Sequence, residues 1–201
     1  MRPQPYILAI SRTKKETYNE AKRQILAGAS RQEVFSNLKA TSTLKEEDLV
    51  TVVRYIPTLQ ARATHRTPWL ALVVLLFLVI AFKALFALLL VLNGQPLGWL
   101  GLVLMPLLNV IAVLMVLNHR GEIYRALAVL TIIGVMQMTS REAAGGFNLV
   151  FLLDVLIYGA IIGLSFHLNA RMVPAPAERK ERYHNAQGQE RRRKVYVFEE
   201  R

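Results

Sequence analysis

Two residues of this chain stand where ionisable groups are expensive. Lys83 interrupts the apolar run 69–92, and Asp154 lies inside the apolar run 147–168. If those runs are surrounded by lipid, each charge costs roughly 2.5–3.5 kcal/mol at a helix centre. Lys83 precedes Asn93 by ten residues and Asp154 follows Phe147 by seven, which puts them at depths of about 15 Å and 10 Å from the same end of two helices. The lysine stem covers that difference. Three readings follow: an ion pair that locks two helices together, part of a proton or ion pathway, or no pairing, with Lys83 reaching for the interface.

A third polar group, Asn109, sits in the uncharged run 97–117, one turn after Pro106. A proline kink frees a backbone carbonyl, so the two residues either line a polar pocket or act as interhelical glue. Gly159 and Gly163 form a GxxxG spacing in the last run, which lets helix backbones approach closely and supports helix packing or self-association.

No reaction chemistry emerges beyond these groups. The sequence holds no Gly-rich phosphate loop, HExxH, GxSxG or paired carboxylates, so no catalytic residue and no cofactor is expected. With no cysteine there is no disulfide, thiol nucleophile or thiolate metal site. His65, His119 and His167 fall near one interface in the topology below, but their spacing fits no ligand motif and no metal site is assigned.

The elements that must position Lys83, Asp154 and Asn109 are read from the distribution of charge. The chain has 201 residues, 53% hydrophobic and 19% charged, against roughly 25% charged in an ordinary soluble domain. Residues 69–168 carry four Lys/Arg and three acids, whereas residues 1–68 carry twelve and six, and residues 169–201 carry nine and five. Such segregation argues against a simple soluble enzyme. It predicts an all-α membrane protein, a four-transmembrane-helix bundle with crossings at 69–92, 97–117, 123–138 and 147–168. The run 69–92 spans about 36 Å as a helix, ample for a hydrocarbon core of about 30 Å. The run 123–138 is the weakest, about 24 Å with Arg125 inside it, and needs snorkelling to cross. The competing count is three crossings with this segment re-entrant.

Lys and Arg concentrate in both flanks and around the 118–122 turn, while 93–96 is uncharged and 140–146 carries Arg141 as its one base. The positive-inside rule then places both termini in the cytoplasm of an inner (plasma) membrane, multi-pass. Residues 1–67 are polar and long, so the first crossing is expected to serve as the targeting signal.

The flanks divide into a helical cytoplasmic module with a basic connector (1–67) and a basic tail (169–201). Thr13/Glu16, Ser30/Glu33 and Thr43/Glu46 have capping-box spacing and predict three short helices. Gly28 ends the first, Pro57 ends the third, and 58–68 is a basic connector. The Gly28-Ala29-Ser30 turn invites a helix-turn-helix reading, but no cluster of Arg, Asn and Gln marks one recognition helix, so a self-packing bundle is preferred and nucleic acid is not the expected partner. In the tail, residues 195–198 read as a strand, with 185–188 as the turn of a β-hairpin back to 181–184, and a pairing with 6–10 would join the two termini. Arg179, Lys180, Arg182, Arg191, Arg192, Arg193 and Lys194 suit contact with anionic lipids at the cytoplasmic face, or else enforce topology and stay solvated.

The function expected from this pattern is that of a small integral membrane protein, a non-enzymatic scaffold, regulator or accessory subunit that forms a homo-oligomer or binds a partner membrane protein. The rival is an oligomeric channel or ion- or proton-coupled transporter subunit using Lys83, Asp154 and Asn109.

Overall fold

Thr13 and Ser30 begin the first two helices as their spacing predicts. In the computed structural model, which describes residues 13–94, 98–142, 149–184 and 190–198, helix α1 (Lys14–Leu26) and helix α2 (Arg31–Thr41) each carry a complete capping box, with Thr13 and Ser30 as N-caps and Glu16 and Glu33 as reciprocating acids. The Glu33 carboxylate accepts from the Ser30 amide at 2.9 Å while the Ser30 hydroxyl accepts from the Glu33 amide at 3.2 Å. The bond from the Ser30 backbone first, then the Ser30 hydroxyl beside the carboxylate, hold the Glu33 carboxyl below its ordinary pKa. Gly28 closes α1 at φ 97°. With it, the amides of Gly28 and Ala29 donate to the carbonyls of Ile25 and Gln24, both at 3.1 Å, the two bonds of a Schellman stop.

The third box does not form. Helix α3 (Glu46–Arg54) starts after Lys45, which gives no side-chain cap. The Ser42 hydroxyl accepts from the Leu44 amide at 3.2 Å, and Glu46 is drawn outward to Lys39 at 2.8 Å. Glu46, Glu47 and Asp48 in the first turn supply what the cap does not, placing negative charge at the positive end of the helix dipole.

The chain divides into two compact units, one of residues 1–61 with 173–201 and one of 62–172. The first unit contains α1–α3 and the expected hairpin, strand β1 (Ala177–His184) paired antiparallel with β2 (Glu190–Val197) from Ala177↔Val197 to His184↔Glu190. Its core draws on both ends of the sequence: Ala21 and Ile25 from α1, Val34, Phe35 and Leu38 from α2, Leu49, Val52 and Val53 from α3, together with Ile56, Tyr196 and Phe198. The Phe198 ring lies 5.6 Å from that of Phe35, tilted by 58°, a favourable aromatic geometry. The Phe198 amide donates to Gln32 Oε1 at 2.9 Å. A two-stranded ribbon alone is marginal in water, so these anchors give this one its stability. Arg31, 4% exposed, donates from Nε and Nη2 to the Ile56 carbonyl, both at 3.2 Å, and Lys14 meets Asp48 at 3.1 Å between α1 and α3. The predicted pairing with 6–10 and the turn 185–188 lie outside the described residues.

In the second unit the expected connector 58–68 is largely helical: α4 (Leu59–Thr64) is followed at Arg66 by α5 (Arg66–Leu92). Pro68 falls in the first turn of α5, where its missing N–H leaves no gap in the ladder. Three more helices complete the unit, α6 (Gly98–Leu117), α7 (Glu122–Glu142) and α8 (Leu149–Met172). Helix α5 packs on α6 and α8, and α7 packs on α8 and α6. Two of these helices, α5 and α8, are long and apolar enough to cross a membrane. Helix α7 has 21 residues, about 31 Å, because it continues past the apolar run 123–138 through polar residues to Glu142.

Thr13→Ala and Ser30→Ala should each destabilise the first unit by about 1 kcal/mol, while Thr43→Ala should cost no more than a few tenths, since Thr43 caps nothing. Phe198→Ala should cost about 3 kcal/mol and speed amide exchange along β2. Hydrogen exchange of the detergent-solubilised chain, read by mass spectrometry, reports all four.

Candidate functional site

The packing of α5 on α8 brings Lys83 and Asp154 within electrostatic reach, and the Asp154 carboxylate is the charge that acts on the Lys83 ammonium. Both are half-buried. One turn further along α8, Tyr158 is half-buried as well and feels the same carboxylate. The group is thus three residues on two helices, and Tyr158 is its unforeseen member; its spacing of four from Asp154 was the available signal. Asn109 is half-buried on α6, a third helix.

Among the described residues Gly159 and Gly163 are not used for close approach: a Cβ built at either would meet nothing within 4 Å. That strip of α8 is open. Around it Leu152, Leu153, Leu156 and Phe166 are exposed, as are Leu70, Val74, Phe77, Leu78, Phe82, Leu85 and Phe86 on α5. The inward seam is narrower, formed by Leu72, Leu76 and Val79 on α5, Val113 and Val116 on α6, Tyr124 and Ala128 on α7, and Ile161, Leu168 and Met172 on α8. Ser165 lies on this seam, fully buried, and its hydroxyl has no hydrogen-bond partner among the described residues.

At the end of the unit where α5 and α7 begin and α6 and α8 finish, aromatic and basic groups converge. Trp69 donates from Nε1 to the Val116 carbonyl at 3.1 Å, in the last turn of α6. Its ring stacks on His119 at 4.8 Å. His119 holds φ at 52°, a left-handed conformation that a non-glycine residue adopts at a cost of about 1–2 kcal/mol. There it ends α6, with its own amide on Val116 at 2.9 Å and that of Arg120 on Met115 at 3.1 Å, while the stack on Trp69 offsets the strain. His65 packs edge-on against His167 at 5.7 Å. The three histidines are therefore split, one pair and one stacked on tryptophan. Among the described residues no group of three His, Asp or Glu is arranged to hold a metal ion. Tyr124 is fully buried, with Arg62 the charge acting on it.

The basic side chains of the tail lie on the ribbon. Arg179, Lys180 and Arg182 on β1 and Arg192 and Lys194 on β2 are exposed; Arg191 and Arg193 occupy β2 positions opposite Tyr183 and Glu181. Comparison of the chain with protein-family models, curated proteins and solved structures finds no match.

Burial first, then the nearby charges of His167 and Arg171, hold the His65 pKa below that of a free imidazole. A lowered histidine pKa means that the unfolded chain takes up the proton more readily. This contribution to stability is intact above the unfolded value of about 6.5 and is lost as pH falls below it. The thermal midpoint of the detergent-solubilised protein should therefore drop more between pH 7 and pH 5 than that of His65→Gln.

Proposed function

We propose that the chain is a multi-pass inner-membrane protein that acts by interaction, as a scaffold, regulatory or accessory subunit, and performs no catalysis of its own. The observation that carries this reading is the outward-facing apolar surface of α5 and α8. Only 28% of the apolar window of α5 and 22% of that of α8 is buried within the chain, whereas a core helix of a soluble protein buries most of its apolar face. Lipid is the solvent that makes such a surface stable, and helices that satisfy their own backbone suit it.

The same surroundings extend to α6 and α7. Helix α6 has 20 residues without a charge, about 30 Å, and exposes Leu107, Val110, Ile111 and Leu114. Helix α7 exposes Leu130, Ile133 and Met136. Four crossings then put both termini on one side, and the excess of Lys and Arg in both flanks assigns that side to the cytoplasm. The shared core of α1–α3 with Tyr196 and Phe198 supports an even number, because both flanks must occupy one compartment to pack together. Within the bilayer, the Lys83–Asp154 pair relieves two desolvation costs at once. The open Gly159/Gly163 strip supplies a face for a second copy or a partner membrane helix.

A second reading, an oligomeric channel or an ion- or proton-coupled transporter subunit, is favoured by one observation, the grouping of Tyr158 with Lys83 and Asp154. The two differ in what a charge swap does. On the structural reading, Lys83→Ala and Asp154→Ala each lower the yield of folded protein, and Lys83→Asp with Asp154→Lys restores it. On the transport reading, all variants fold and ion flux in proteoliposomes is lost.

The chain lacks cysteine, so single introduced thiols report topology without background. Asn93→Cys in intact cells should react with a membrane-impermeant maleimide, and Asn118→Cys should react only after lysis. Labelling of both from outside would remove the four-crossing topology. Crosslinking in native membranes should capture a second copy or a defined membrane partner, and a strictly solitary chain would remove the interaction reading.

A further inference from the structure

The strand register sorts the charges of the ribbon unequally between its two faces. On the face of the even-numbered residues Lys180 lies opposite Lys194 and Arg182 opposite Arg192. On the other face Arg193 lies opposite Glu181, an unlike pair, and Arg179 opposite Val195. Like charges directly opposite one another destabilise a strand pair. The even face has them at two successive positions, in a ribbon that has no third strand among the described residues. The acids of this face stand at its ends, Glu178 at 3.6 Å from Lys194 and Glu190 at 3.1 Å from Arg182. These are solvent-exposed contacts, and two carboxylates do not neutralise four cations. Tyr196, on the same face, is buried in the helical core, so the ribbon is held at its base while the cationic stretch stays open to solvent.

We propose that this even face, Lys180, Arg182, Arg192 and Lys194, binds the phosphate groups of anionic lipids. Facing residues on a strand pair are about 5 Å apart and successive residues on one face about 7 Å, so one phosphate can accept from two of these cations at once. The bound phosphate replaces repulsion between the cross-strand pairs with two attractions. The source follows from connectivity and rests on the membrane insertion proposed above. Four residues separate Met172 at the end of α8 from Ala177 at the start of β1, a reach of no more than about 18 Å. Headgroups at the end of a spanning helix are therefore presented to the ribbon at high effective concentration, which no dissolved polyanion matches.

Lysine acetylation tests this on the full chain in nanodiscs of phosphatidylcholine, with and without phosphatidylglycerol. Lys180 and Lys194 should be acetylated at least about threefold more slowly in the anionic discs, the difference should vanish near 0.5 M salt, and exposed Lys15 should not change. Arg182→Gln with Arg192→Gln removes one like-charge pair, so it should slow amide exchange in the ribbon yet abolish the lipid-dependent protection of Lys180 and Lys194. A purely structural ribbon would show the first effect without the second. Equal acetylation in both discs would overturn the proposal while leaving the membrane reading intact, and failure of the chain to enter nanodiscs would overturn both. Protection in neutral discs by inorganic phosphate alone would make this a free-phosphate site. Protection only by an RNA or DNA oligonucleotide would make it a nucleic-acid surface.

Discussion

One aromatic contact constrains the whole chain. Phe198 packs on Phe35 and its amide is held by Gln32, so the tail completes the core of the first three helices. Everything from residue 62 to residue 172 must consequently leave this unit and return to it. The hairpin, too weak to stand as an isolated ribbon, gains its hold from Tyr196 and Phe198. The buried Arg31 guanidinium, clasping the Ile56 carbonyl, ties α2 to the end of α3 on the same scaffold.

The second unit obeys a different economy. Its helices meet along a narrow seam and turn most of their apolar side chains outward, so polar groups are kept few and given work. Lys83 on α5 and Tyr158 on α8 both lie within electrostatic reach of the Asp154 carboxylate. At the other polar level, Trp69 donates to a carbonyl in the last turn of α6 and supports the strained His119 turn.

Local structure was legible in the sequence wherever one residue type at one spacing decides it. The Thr13/Glu16 and Ser30/Glu33 boxes and the Gly28 stop formed where the pattern placed them, and the tail formed a hairpin with longer strands than expected, residues 195–197 pairing with 177–179. The Thr43/Glu46 box did not form: α3 starts after Lys45, and the Glu46 carboxylate accepts from Lys39 instead, a competition that spacing alone does not weigh. Long-range placement was not legible. Nothing local to residues 195–198 says that they enter a core built from residues 21–56, and periodicity could not show that the Gly159/Gly163 strip has open space beside it among the described residues. Nor could it divide three histidines into a pair and a tryptophan stack. That Lys83 and Asp154 fall on two helices that pack together, α5 and α8, is as much as depth arithmetic in two apolar runs could indicate.

The late arrival of Phe198 also has a consequence for biosynthesis. It is polymerised 142 residues after Ile56, an interval of roughly 7–28 s at ordinary translation speed. Throughout that interval the nascent module lacks the ring that packs on Phe35. Ribosomes that stall between the two leave a product without it, so the tail doubles as a certificate that the intervening hydrophobic stretch has been made.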